Sequence, residues 1–340
     1  MRIWCSLSLC FALATLMFGQ SRKLEIYWID VEGGAATLVV APSGQALLVD
    51  AGFAGNDDRD ARRVMETIKA AHVSKIDFLI TTHFHGDHVG GVPALAKLIP
   101  IERFYDHGDS IQIGTPERAA LFEAYKSVSH GKRVVVKPGD KIPLDGLDMT
   151  VVSANGEVIP TALNGGTANA LCKGAQQKDP DETENSRSVG FLLTYGKFKF
   201  LDLGDLTWDR ELMLACPTNK VGTVTLFQAT HHGFSNGASG SPAMVWAAKP
   251  QVVIVNNGPR KGFDATAYET LSKIPGVEGI WQMHRSLVSD AAHNTSESMI
   301  SNLDEGKADQ FKSIKVSASK DGTFTVVNSR NNFSKSYRAR

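Results

Sequence analysis

Three histidines and one aspartate fall within His83-Phe84-His85-Gly86-Asp87-His88, directly after the run Ile76-Asp77-Phe78-Leu79-Ile80. That short apolar run reads as a buried strand, so the cluster belongs on a loop at the strand's carboxyl end, where α/β proteins hold ligands. Imidazole nitrogen and carboxylate oxygen are the donors that catalytic Zn²⁺ takes. His83 and His85 are two apart and can point the same way from an extended loop. Asp87 and His88 are adjacent, point apart, and can face a second ion. The alternative, four polar residues on a solvated turn, loses to the strand context.

Other strand ends carry matching residues. Ala46–Val49 runs into Asp50-Ala51-Gly52. Val189–Tyr195 and Lys197–Leu203 read as a hairpin leading to Gly204-Asp205, and Val221–Ala229 leads to Thr230-His231-His232-Gly233. The order His-x-His-x-Asp-His, Gly-Asp, His-His-Gly resembles the metallo-β-lactamase fold superfamily over roughly Leu24 to Gly258.

The resemblance implies an α/β chain (α+β by some schemes) folded as a four-layer αββα sandwich, one domain over residues 22–328. It implies two ions, Zn²⁺ with Mn²⁺ as a competitor. His83, His85 and Asp205 would hold the first; Asp87, His88, His232 and the shared Asp205 would hold the second. Asp50 would support the loop by accepting a proton from a ligand imidazole. Most members place a third histidine before the bridging aspartate, but Glu184-Asn185-Ser186-Arg187-Ser188 has none. Asn-x-x-Ser, Gly-Asp and His-His-Gly resemble the branch that contains the metal-dependent domain of bacterial DNA-uptake channels and phosphorylcholine esterases. In that reading Asn185 fills the vacancy directly or through water, and as a neutral amide it leaves the first ion looser.

The implied activity is metal-assisted hydrolysis, with a water activated between the ions attacking phosphorus or a carbonyl carbon. Asp87 orients the attacking group, and His231 protonates the leaving group. The leading substrate is a phosphodiester or related small molecule. A lactonase or β-lactamase-like ester or amide hydrolase is one alternative; a metal-binding module without turnover is another.

Lys+Arg and Asp+Glu both number 36, so the chain carries no net formal charge and no strong nucleic-acid signature. Residues 1–20 have an early Arg2 and an apolar stretch from Leu7 to Phe18, a secretory leader pattern. The expectation is a secreted or periplasmic protein, cleaved near Gln20 or Ser21, with no membrane attachment afterwards. Cys172 and Cys216 then remain in an oxidising compartment; their number permits one disulfide and leaves the pairing open. The sequence carries no sign of oligomeric state.

Asp57–His72 and Glu117–Val128 read as helices. From Asn155 to Asn185 periodicity is lost, and a lid is expected there. His107, His284 and His293 are candidates for the rim, each weighed against a structural or surface role. Residues 329–340 read as a disordered basic tail.

Overall fold

The computed structural model describes residues 22–163, 166–304 and 311–340. The expected leader, residues 1–20, lies outside the described residues. The chain begins with β1 (Leu24–Trp28), β2 (Thr37–Val40), β3 (Ala46–Val49), α1 (Arg59–Ala70) and β4 (Ile76–Ile80). Next come α2 (Gly86–Val89), α3 (Val92–Leu95), β5 (Ile101–Asp106), α4 (Pro116–Ser129), β6 (Arg133–Val135) and β7 (Asp148–Ala154). Two short strands, β8 (Glu157–Val158) and β9 (Thr167–Ala168), precede β10 (Gly190–Tyr195), β11 (Phe198–Asp202) and α5 (Trp208–Ala215). Then follow β12 (Thr218–Asn219), β13 (Leu226–Gln228), the one-turn α6 (Thr230–Phe234), α7 (Pro242–Ala248), β14 (Val252–Val255) and α8 (Ala265–Ser272). The chain closes with β15 (Gly279–His284), β16 (Ile300–Asn302), β17 (Ile314–Ala318), β18 (Thr323–Asn328) and β19 (Ser334–Arg338).

Among the described residues these strands form two large sheets. One has the order β19-β18-β17-β1-β2-β3-β4-β5-β6, the other β16-β15-β14-β13-β11-β10-β7-β8. Successive side chains of a strand point to opposite faces, and both faces are apolar here. Leu24, Ile26 and Trp28 of β1 enter the core between the sheets, whereas Tyr27 packs outward with α1 and α4 residues such as Val64 and Tyr125. On the second sheet Phe191 and Leu193 point inward, and Leu192 faces the layer built with α5, α7 and α8. Trp28 and Phe200 meet edge to face across the middle, centroids 5.6 Å apart. The result is helix, sheet, sheet, helix: the αββα sandwich.

One expectation is corrected. Residues 334–338 are not a disordered tail: β19 pairs antiparallel with β18, and Tyr337 is buried and stacks on Phe324 at 5.1 Å. The domain therefore runs past residue 328. The basic residues misled because an edge strand commonly carries exposed charge, which blunts pairing with other chains. The 155–185 stretch, where a lid is expected, carries local pairing of its own. β8 continues β7, β9 pairs with β12, and Asn169 Nδ2 donates to Ala215 O and Ala243 O at 3.0 and 2.8 Å. A Cys172–Cys216 disulfide fastens it beside α5. Asn164 and Gly165, within the expected lid, lie outside the described residues.

Candidate metal centre

The loop after β4 is fixed by backbone bonds. Ala35 N donates to Asp87 O at 3.0 Å, and Ala51 N donates to His88 O at 2.8 Å. Such close backbone approach explains Gly90 and Gly91, because a Cβ on either would collide with Ala54 N or Ala51 O. From β3, Asp50 takes three bonds: Thr82 N at 2.8 Å, Thr82 Oγ1 at 2.7 Å and His88 Nδ1 at 2.7 Å.

Donor atoms of Asp87, His88, Asp205 and His232 converge within 4.8 Å of one another. His88 Nε2 lies 3.2 Å from His232 Nε2 and 3.3 Å from Asp205 Oδ2. His232 Nε2 lies 3.2 Å from Asp87 Oδ2. The His232 Nδ1 faces Asn256 O at 3.4 Å, which together with Asp50 on His88 sets both tautomers. With each Nδ1 proton held in this way, the neutral rings would turn two Nε2 lone pairs toward each other among carboxylates.

A second such pair stands beside the same Asp205 oxygen, with the His83 ring 4.1 Å from the His88 ring. His83 Nδ1 is 3.1 Å from Thr82 Oγ1, which already donates to Asp50, and His85 Nε2 is 2.8 Å from Gln112 Oε1. This leaves His83 Nε2 and His85 Nδ1 as opposed lone pairs 3.1 Å apart. His83 Nε2 is 3.8 Å from Asp205 Oδ2. His231 Nε2 is also near that oxygen, at 3.4 Å, and 3.4 Å from Asn185 Nδ2. The Asn185 Oδ1 is buried without a hydrogen-bond partner among the described residues. Opposed lone pairs and a buried acceptor cost energy unless a cation lies among them. The donor set fits a divalent metal centre gathered around Asp205.

The electrostatics agree. Burial alone would raise Asp205, but the imidazoles of His88, His231 and His232 outweigh it and hold its carboxyl well below the usual range. Asp87 behaves alike: burial raises it, and His88 and His232 more than offset that. Burial, assisted by neighbouring imidazoles, lowers both His83 and His231, which favours their neutral, metal-binding forms despite Asp205. His88 goes the other way. Burial lowers it, yet Asp205, Asp87 and Asp50 raise it well above the ordinary value. This site demands positive charge.

His231 and His232 leave β13 with left-handed backbone, φ 54° and 58°. That turn sends His232 into the four-donor group and His231 toward Asp205 and Asn185. The three candidate rim histidines are engaged by other carboxylates, His107 and His284 in buried pairs and His293 at the surface. His107 Nε2 meets Glu184 Oε2 at 2.9 Å, His284 Nε2 meets Asp30 Oδ1 at 2.7 Å, and His293 Nδ1 meets Asp290 Oδ1 at 2.7 Å.

Sequence reading missed three residues. Glu184 accepts from Phe84 N at 3.2 Å and Ser110 Oγ at 2.7 Å, tying the metal loop to the Asn185 turn. Gln112 orients His85, and Lys261 pairs with Asp87. None lies in a recognisable motif; only the Gly-x-x-x-Gly frame from Gly258 to Gly262 hinted at a tight turn around Lys261.

Residues 29–175 match the family model described as the Metallo-beta-lactamase superfamily. The UPF0173 metal-dependent hydrolase of Cupriavidus metallidurans is 34% identical over 74 residues, 22% of this chain and 23% of that one. The chain thus spans about a quarter of the length of that relative. The atrochrysone carboxyl ACP thioesterase of Passalora fulva is 37% identical over 67 residues, 20% of this chain and 19% of that one. Among solved structures, CmlA, a diiron beta-hydroxylase of Streptomyces venezuelae, is 14% identical with a TM-score of 0.41, covering 76% of this chain and 48% of that one.

Proposed function

From the premise that residues 29–175 belong to the metallo-beta-lactamase superfamily, we propose that this protein is a metal-dependent hydrolase of phosphodiesters. The observation that carries the reading is the pair of close imidazole contacts, His83–His85 and His88–His232, gathered around Asp205 Oδ2. Divalent ions held there, Zn²⁺ or Mn²⁺, supply Lewis acidity and lower the proton affinity of a bound water.

The chain's own residues do the rest. Asp50 holds the His88 ring by its Nδ1 proton, and Asn256 O holds His232. Gln112 turns the His85 Nδ1 toward His83. His231, beside Asp205 and low in proton affinity, fits the His83–His85 side as a donor better than it fits a leaving-group acid. Asn185 Oδ1 remains available to that ion or to its water. Export of the protein is part of the same reading, supported by the Cys172–Cys216 disulfide, since such bonds persist in oxidising compartments.

The short match to the Passalora fulva thioesterase favours a second reading, hydrolysis at a carbonyl. Purified protein loaded with Zn²⁺ or Mn²⁺ should cleave bis-p-nitrophenyl phosphate and lose that activity to a chelator. Turnover of a chromogenic lactam or thioester without phosphodiester turnover would select the second reading. Full metal occupancy without turnover of any of these substrates would point to a binding module.

A further inference from the structure

The Nζ of Lys261 pairs with Asp87 Oδ2. That oxygen also lies 3.2 Å from His232 Nε2 and 3.5 Å from His88 Nε2. The ammonium therefore occupies the carboxylate atom through which Asp87 takes part in the four-donor group. Lys261 is 37% exposed in its side chain and sits over the Phe53 ring at 5.9 Å, at the mouth of the site.

Its placement is not a surface accident. Lys261 O accepts from Gly258 N at 2.9 Å, closing a tight turn, and Phe263 N donates to Gly233 O at 3.0 Å. Gly262 is so close to the His232 carbonyl that a Cβ would lie 1.9 Å from it. The turn that carries Lys261 is thus packed on the turn that carries His232. The backbone of this turn is fixed, and the Lys261 side chain reaches from it to Asp87.

We propose that Lys261 is the oxyanion-binding, specificity-determining residue of this site, alternating between Asp87 and a phosphoryl oxygen of the substrate. The proposal rests on the hydrolase reading. Without a cation, Lys261 neutralises Asp87. With a divalent ion bound at Asp87, that carboxylate would be shared and the neighbouring Lys261 ammonium would be repelled. The displaced Lys261 then meets an anionic ligand at the mouth, where an ammonium acts as a point charge toward phosphate oxygens.

Inorganic phosphate is the probe, with binding measured calorimetrically on Zn²⁺-loaded protein whose metal content is determined separately. Lys261→Met should retain its metal and bind phosphate about tenfold more weakly or worse, whereas Lys261→Arg should stay within roughly threefold of the parent. Chelator competition should show Lys261→Met holding its metal more tightly than the parent, because the competing ammonium is gone. Parent-like phosphate affinity in fully metallated Lys261→Met overturns the proposal while leaving the hydrolase reading intact. Failure of the parent to take up metal overturns both.

Discussion

Oδ2 of Asp50 accepts a hydrogen bond from Nδ1 of His88 at 2.7 Å, across 38 residues of chain. The same carboxylate accepts from Thr82 N and Oγ1. One buried aspartate therefore fixes both the metal loop and a ligand tautomer.

Asp50→Asn tests that relationship. An amide can turn its NH₂ toward His88 Nδ1, which shifts the ring proton to Nε2 and removes the lone pair that faces the ion. Metal affinity should fall about 10- to 100-fold with native circular dichroism. Unchanged affinity in chelator competition would remove Asp50 from the metal centre.

Metal content separates two roles for His231. As a donor beside Asp205, His231→Ala should lose about one ion of two, and Asn185→Ala should weaken the same ion less, because an amide is the poorer ligand. Elemental analysis after gel filtration reads both. Two ions retained in His231→Ala, with activity on substrates with poor leaving groups lost selectively, would return His231 to a proton-donor role.

Glu211 makes stability depend on pH. Burial pushes its carboxyl up to about 8, against the bond it accepts from Ser241 N. The folded protein thus keeps a proton that the unfolded chain releases near 4.5. Stability attributable to this residue should fall as pH rises between those values, on the order of 4 kcal/mol over the window. Glu211→Gln should flatten that part of the profile in denaturant unfolding; parallel curves for parent and variant would contradict the assignment.

Removing the Cys172–Cys216 bond should cost about 2–4 kcal/mol, since it closes a long loop in the unfolded chain. Cys172→Ser with Cys216→Ser should lower the melting temperature by several degrees and retain the metal, because neither cysteine touches a donor. A parent-like melting temperature in non-reducing buffer would show that the bond does not contribute.

What the sequence by itself determined is local. Near-continuous apolar runs specified β1 and β10 with both faces covered, and the His83–His88 motif behind β4 announced a metal loop before any contact was known. Strand ends at Asp205 and His232 were legible for the same reason: side-chain period and turn residues are properties of a few neighbours.

Tertiary structure decided the rest, because it concerned which distant groups share a buried space. His107 and His284 look in sequence like other strand-end histidines, and only Glu184 and Asp30, brought in from afar, make them structural. The 334–338 strand looked like a solvated tail until β18 supplied its backbone partners. Lys261 reaches Asp87 across 174 residues, and no local pattern encodes such a meeting. A buried charge takes its role from the opposite charge that the fold sets beside it, and that pairing exists only after the sheets have packed.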